Sequence, residues 1–397
     1  MDTTLVINPG SSSKKYAIYK GEKEVYTACF ERTGDSYGVC VTINKAQQRC
    51  EDIGRTTYSG SLSACLTMAR KEGVIRLNDD IDVVAFRVVA PHPHFTTHRI
   101  LTERSEQLLQ SLALVAPLHI PSTLEEIHAA HIFLPHAVRV SISDSAFHAT
   151  MPNCASLYSV PHGDCEELNL IRYGYHGISV SSVVHELRER VHGLPERVLV
   201  AHIGSGVSVS ALRKGECVDT TLGFGPASGL IMGTRGGDLD GPALLHIERS
   251  KGFTPARTEE YLNRETGLLG LTGTSDLRHI INRAKGGDPR SARAFEAFIY
   301  HIQKALHSFV GVLGGLDAVV LTATAAERNP YLRERVLESL AYRGFVLDHN
   351  ENERVSECFG KISAPDSQIE VYVVPTEEMR EMARLAGEVY RGRETLN

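Results

Sequence analysis

The sequence contains no stretch near the roughly 18 unbroken apolar residues that a membrane-crossing helix requires, so no span is expected. Its first apolar run, Leu5-Val6-Ile7, follows an acid at position 2 and is broken by Asn8-Pro9-Gly10, the reverse of a secretion signal. The cytoplasm is the expected location. A basic excess is missing too: 42 Lys and Arg stand against 48 Asp and Glu, a net charge of -6, with no basic block to neutralise a run of phosphates. Nucleic-acid binding is therefore disfavoured. The eight cysteines form no Cys-x-x-Cys pair, and a chain of 397 residues needs no covalent staples, so reduced, mostly structural thiols are expected. The spacing G-x-x-x-x-G-K-S/T is nowhere found, which excludes a P-loop nucleotidase.

What is present is ordinary for a folded chain, with 42% apolar and 23% charged residues and a length that predicts two domains with separate cores. Periodicity predicts strands at about 3 to 8, 15 to 20, 82 to 89, 138 to 143, 197 to 202, 207 to 213, 317 to 323 and 369 to 375. Helices are predicted at about 101 to 115, 123 to 132, 178 to 191, 239 to 250, 290 to 313, 330 to 343 and 377 to 391. This alternation is α/β. LVINPGSSSKKYAIYKGE from Leu5 aligns without a gap to LVAHIGSGVSVSALRKGE from Leu199, sharing Gly10/Gly204, Ser11/Ser205, Ala17/Ala211 and a closing Lys-Gly-Glu. A weaker echo pairs IDVVAFRVV from Ile81 with LDAVVLTAT from Leu316. Both halves carry one plan, which points to a duplication with two similar lobes facing each other across a cleft.

In each copy a strand runs into a Gly/Ser turn, whose backbone N–H groups and hydroxyls suit phosphate oxygens. The first turn leads into Lys14 and Lys15, which can neutralise a polyphosphate, while Asn8 offers an amide at the strand end. A solvent turn has the same composition. Arg87 sits inside VVAFRVVA, where a charge is costly unless it meets an anion, either a carboxylate or phosphate ligand or an internal acid. Asp144 is delivered by the strand ending VRVSISD, as a catalytic acid or as a cap for the next turn. His176, between an aromatic and a glycine before a predicted helix, can face an oxyanion. Arg235, flanked by glycines, can bring a planar cation to a phosphoryl group, or simply sit in water. His92, His94 and His98 have no fourth ligand at a sensible spacing, which argues against zinc.

NPGSSSKKY, FRVV, APLH, SDSAFHATMP, RYGYHGIS, DTTLGFGPASGLIMGTRGGDLD, TGLLGLTGTSDLR, GGLDAVVLT and VVPTEEMREMAR, in this order over nearly the whole chain, resemble the acetate kinase family. That resemblance implies two similar α/β lobes of the actin-like ATPase (ribonuclease H-like) fold facing a central cleft. Approximate boundaries are 1–150 with the helix of 377–397 for one lobe, and 151–376 for the other. It implies Mg2+-dependent (or Mn2+-dependent) transfer between ATP and acetate, giving acetyl phosphate and ADP, by a homodimer. By position, Asn8 and Glu378 match residues around the metal, and Lys15 the lysine of the phosphate loop. Arg87 matches the substrate arginine, with Leu118 and Pro226 lining the acyl pocket. Asp144, His176 and Arg235 match the catalytic residues. His202, Ile203, Gly204, Ser205 and Gly206 match the second phosphate loop. Asp276, Leu277, Arg278, Thr324, Ala325, Ala326, Glu327 and Arg328 fall on the adenosine side.

Several positions depart from the family's pattern. Its H-G-G after the substrate arginine reads Ala90-Pro91-His92, the asparagine of its H-L-G-N-G loop is Ser205, and its G-G-I-G-E-N reads Ala323-Thr324-Ala325-Ala326-Glu327-Arg328. Losing glycines fills space where a ligand lies against bare backbone. The expectation is an altered donor pocket, with ATP first and another nucleotide or pyrophosphate as alternatives. Propionate or butyrate is the alternative acceptor, and a non-catalytic phosphate-binding relative is the reading from another class.

Overall fold

The structure is a computed structural model and describes residues 2–10 and 13–394. Ser11 and Ser12 of the first Gly/Ser turn lie outside the described residues. The chain divides into two compact units, Met1–Ala146 with Glu377–Asn397, and Phe147–Thr376.

The first unit contains β1 (Thr3–Pro9), β2 (Ser13–Lys20), β3 (Lys23–Thr33), β4 (Ser36–Ile43), β5 (Arg49–Ile53), β6 (Val83–Val88), β7 (Arg99–Ile100) and β8 (Val138–Ser143). They form one sheet in the order β5-β4-β3-β2-β1-β6-β8-β7. β1, β2 and β3 pair antiparallel, whereas β6 continues from β1, and β8 from β6, in parallel. The parallel strands are buried runs such as Val83-Val84-Ala85-Phe86, as a sheet covered on both faces demands. Helices Ser61–Lys71 and Ile120–Phe133 supply the cluster with Leu62, Leu66, Ile120 and Ile127. Helix Glu378–Glu394 packs on β1, β6 and β8, with Met382 and Ala386 fully buried.

The second unit repeats the plan with β9 (Arg197–Ile203), β10 (Val207–Arg213), β11 (Glu216–Thr220), β12 (Ala318–Thr322), β13 (Gly360–Lys361) and β14 (Glu370–Val373), ordered β11-β10-β9-β12-β14-β13. Again a hairpin pairs antiparallel, and β12 and β14 follow in parallel. The predicted duplication extends to single bonds. Asp82 accepts from the Thr3 N–H at 2.7 Å, and Asp317 accepts from the Arg197 N–H at 2.8 Å. Thr4 stands opposite Val83 as Val198 stands opposite Ala318. In both units the acid before the second parallel strand ties the start of the first strand, so the two echoes seen in the sequence are parts of one motif. The carboxylate satisfies a backbone donor at the strand end that the ladder leaves open.

Helix Pro289–Leu313 buries Phe295, Phe298, Ile302 and Leu306 along one face and is capped by Asp288, which accepts from Ser291 N–H. One expectation fails at the far edge of the first sheet. Cys40 and Cys50 face each other across β4 and β5 and form a disulfide, their Cα atoms 4.0 Å apart. Antiparallel pairing placed these two side chains on one face, which no Cys-x-x-Cys spacing could announce. The other six cysteines are free thiols. No described helix is long and apolar enough to cross a membrane.

Candidate functional site

Two groups of candidate residues form, one in each unit. In the first, parallel β6 and β8 carry Arg87 and Asp144 toward the same sheet end. Arg87 Nη2 donates to Asp144 Oδ2 at 2.9 Å, with the aspartate side chain 2% and the arginine 20% exposed. The internal-acid reading of Arg87 is therefore realised, Asp144 being the acid, while the arginine side chain as a whole stays partly exposed. Arg87 Nη1 reaches Asn8 Oδ1 at 3.4 Å, and Asn8 Nδ2 reaches Glu378 Oε2 at 3.5 Å. Burial pushes the guanidinium down, but the carboxylates of Asp144 and Glu378 outweigh it and hold it above its ordinary value.

Asn8 and Glu378 offer an amide and a carboxylate oxygen, the hard donors Mg2+ takes. Among the described residues no cluster of three or more His, Cys, Asp or Glu is built to hold a metal. A divalent ion fits here only in the sparse manner typical of Mg2+, completed by water and phosphate oxygens. Lys15 stands directly across from Asn8 on β2, is exposed, and shares its face. Lys14 points to the opposite face and is lost to this site. It is buried, 2.8 Å from Glu126, whose other oxygen accepts from Tyr16 Oη at 2.9 Å. Period-two alternation separates the two lysines that the sequence reading offered together. Leu118 is half-buried in the loop before helix Ile120–Phe133.

In the second unit His176 sits at φ 61, in the left-handed region, as the residue before helix Gly177–Arg190. Its Nδ1 lies 2.9 Å from Ser208 Oγ, and its ring stacks on His202 with centroids 4.1 Å apart. Arg235 is held by its own loop: Nη1 donates to Pro226 O at 2.7 Å, and Met232 N–H donates to Arg235 O at 2.9 Å. His176 and Arg235 meet over Gly206. A Cβ placed there would lie 2.8 Å from His176 Nε2 and 3.1 Å from Arg235 Nη2. Two potential cations thus lean on a bare backbone beside the turn His202–Gly206, where Gly204 N–H donates to Gly206 O at 2.9 Å. A planar fork and an imidazole converging at a glycine turn are chemically suited to a multiply charged oxyanion.

The remaining candidates lie apart from this pair in their local bonding. Asp276 caps helix Leu277–Lys285, accepting from Arg278 N–H at 2.9 Å and pairing with its guanidinium at 2.7 Å. That side-chain bond holds the Asp276 carboxyl down at about 2. Ala323 has φ 70 and ψ 162, a backbone region belonging to glycine, and Thr324–Arg328 is a short helix. Glu327 is buried and accepts from Thr376 N–H at 3.1 Å, and Arg328 pairs with Glu357. The three histidines weighed for zinc are occupied otherwise: His92 Nδ1 takes His94 N–H, His94 contacts Ser105 and Arg99, and His98 Nδ1 takes Ser143 N–H. Sequence reasoning missed Ser208 and Glu126. Ser208 could have been found, because in the hairpin it stands opposite His202 and so shares its face.

The sequence profile of the Acetokinase family matches residues 3–384. A protein of Symbiobacterium thermophilum named acetate kinase is 35% identical over 400 residues, covering 98% of this chain and 99% of its own length. One of Carboxydothermus hydrogenoformans with the same name is 33% identical over 383 residues, covering 94% and 96%. Among solved structures, Porphyromonas gingivalis acetate kinase is 30% identical with a TM-score of 0.87, covering 98% of this chain and all of that one. A propionate kinase from Francisella tularensis is 28% identical with a TM-score of 0.90 over the same shares. With a profile matched over nearly its whole length, relatives above 30% identity, and two sheets folded as in those kinases, the chain belongs to the Acetokinase family.

Proposed function

We propose that the chain is an acetate kinase, a phosphotransferase with a carboxyl group as acceptor, converting ATP and acetate reversibly to acetyl phosphate and ADP. One observation carries the reading: His176 and Arg235 converge on the bare backbone of Gly206, at a turn suited to phosphate. An acetate oxygen forms a bond to the γ-phosphorus while the bond from that phosphorus to the bridging oxygen of ADP breaks. Negative charge spreads over the three equatorial oxygens, and His176 and Arg235 offset it. Arg87 pairs with the acceptor carboxylate, Asp144 fixes the guanidinium, and Leu118 and Pro226 bound the methyl group. Lys15 and the backbone of His202–Gly206 hold donor phosphates, with Asp276–Arg278 and Thr324–Arg328 on the adenosine side. Asn8 and Glu378 would hold Mg2+ or Mn2+, which when bound neutralises phosphate charge. A homodimer in the cytoplasm is the setting the family suggests.

A second reading concerns the donor. Ala323 holds a methyl group in a backbone conformation suited to glycine, so the adenosine side differs in shape from the family's pattern, and pyrophosphate or another nucleotide is the alternative to ATP. Trapping of acyl phosphate as hydroxamate tests both readings, with acetate, propionate and butyrate each offered ATP or pyrophosphate. Acetyl hydroxamate with ATP is expected. Product only with pyrophosphate would move the donor assignment, and no product from any pair would remove the kinase assignment.

A further inference from the structure

Behind the paired rings of His176 and His202 runs a line of hydroxyls that no step of the reaction uses. His202 Nδ1 lies 2.8 Å from Ser179 Oγ, in the first turn of helix Gly177–Arg190. Ser179 Oγ in turn accepts a hydrogen bond from Thr376 Oγ1 at 3.0 Å. The Thr376 N–H is spent on Glu327 Oε1 at 3.1 Å. Ser179 is fully buried and His202 nearly so.

A serine hydroxyl has one hydrogen to give. Because Thr376 donates to Ser179, the serine's own hydrogen is available to His202, and the arrangement that uses it has Nδ1 accept. A neutral imidazole that accepts at Nδ1 carries its hydrogen on Nε2. That nitrogen looks toward the phosphate turn: a Cβ added to Gly204 would sit 3.6 Å from it. We infer that Ser179 and Thr376 are positioning residues that fix His202 as the Nε2–H tautomer, so that it presents a neutral donor to the turn Gly204–Gly206. A neutral ring also keeps a positive charge off the face of His176, 4.1 Å away. Thr376 closes the second unit of the chain, and its two bonds anchor that end to helix Gly177–Arg190 and to the Thr324–Arg328 segment. The donor-side segment and the phosphate turn are thereby coupled through one threonine.

This inference rests on the kinase reading for its kinetic consequence but not for its structural one, and two measurements keep them apart. Long-range proton–nitrogen NMR on full-length protein with labelled histidine reads the tautomer without turnover. Wild type is expected to show His202 protonated at Nε2, and Ser179→Ala to show a mixed or Nδ1-protonated ring. In the hydroxamate assay, Ser179→Ala is expected to raise the KM for the phosphoryl donor roughly three- to tenfold, the worth of one hydrogen bond, with the acetate KM unmoved. Thr376→Val shifts donor KM in the same direction and Thr376→Ser restores it, a pattern that packing alone would not give. A wild-type His202 protonated at Nδ1, or an unchanged tautomer and donor KM in Ser179→Ala, overturns the inference. Absence of any acyl phosphate from wild type, with the tautomer as expected, removes the kinase reading and leaves the positioning intact.

Discussion

At Gly206 a missing side chain is what lets an imidazole and a guanidinium approach the backbone. Gly206→Ala puts a carbon 2.8 Å from His176 Nε2, closer than real contacts allow, so the imidazole or Arg235 must retreat. Turnover is expected to fall by about 10² to 10³-fold, as for loss of one oxyanion contact, while circular dichroism and the thermal midpoint stay near wild type. His98 offers a residue-scale test of stability rather than chemistry. Burial, with a smaller push from Arg384 and against an opposing pull from Glu381, lowers its imidazole to about 4. An unfolded histidine takes its proton near 6.5, so the unfolded state binds more protons between about pH 4 and 6.5. His98 therefore supports the fold fully above pH 6.5, and that support is lost as pH falls toward 4. Urea unfolding of wild type and His98→Gln at several pH values checks this. The difference in stability between them should shrink with acidity over that window, and a constant difference would count against the assignment.

Helix Ile120–Phe133 is the element on which the first group of site residues leans. Its Glu126 takes Lys14 and Tyr16 from β2, while Thr123 Oγ1 donates to the backbone oxygen of Arg87 on β6 at 3.4 Å. One helix thus sets both β2 and β6, the strand of Arg87. Glu126→Gln leaves the buried Lys14 ammonium with only the exposed carboxylate of Glu125, 3.6 Å away, and is expected to destabilise the protein by about 3 kcal/mol, the low end for a broken buried pair. The double change Lys14→Met, Glu126→Leu should recover most of that in denaturant unfolding. If the double variant is as unstable as the single one, the pair is not what holds helix and strand together.

The same element shows what a sequence discloses. Strands Val138–Ser143 and Val207–Arg213 fall on their predicted limits, because VRVSIS and VSVSALR set Val, Ile and Ala at the strand period between small serines. β3, β4 and β5 were not predicted. β5 is an exposed edge, Arg49-Cys50-Glu51-Asp52, with no apolar pattern to mark it, whereas β3 and β4 do bury Val25, Tyr26, Ala28, Phe30 and Val39 and were missed despite that pattern. Helices Pro255–Arg264 and Leu277–Lys285 escaped for a similar reason, each burying only a residue or two. Among the candidate site residues, Asn8, Arg87, Asp144, His176 and Arg235 stand out in the sequence because each is a polar residue in an apolar or glycine setting. The Lys14–Glu126 pair was not, since its partners lie 112 positions apart and only the folded sheet shows which lysine turns inward.

Across the whole molecule, two units share one strand plan and one aspartate clamp, yet they are assembled from the chain differently. The second is continuous from Phe147 to Thr376, whereas the first takes its helix Glu378–Glu394 from the far side of the second. Removing residues 377–397 strips cover from β1, β6 and β8 and exposes the face met by Met382 and Ala386. Such a variant is expected to show a separate, earlier thermal transition for the first unit while the second unfolds as in wild type. A single transition at the wild-type midpoint would refute that dependence.

The interleaving also fixes an order of events during synthesis. A nascent chain emerges from its amino end, and domains fold as their residues become available. The second unit has all its strands by Thr376, while the sheet that began to emerge first still waits for the helix that follows. The unit translated earliest is therefore completed last, and until then its apolar face is in the care of whatever shields a chain on the ribosome.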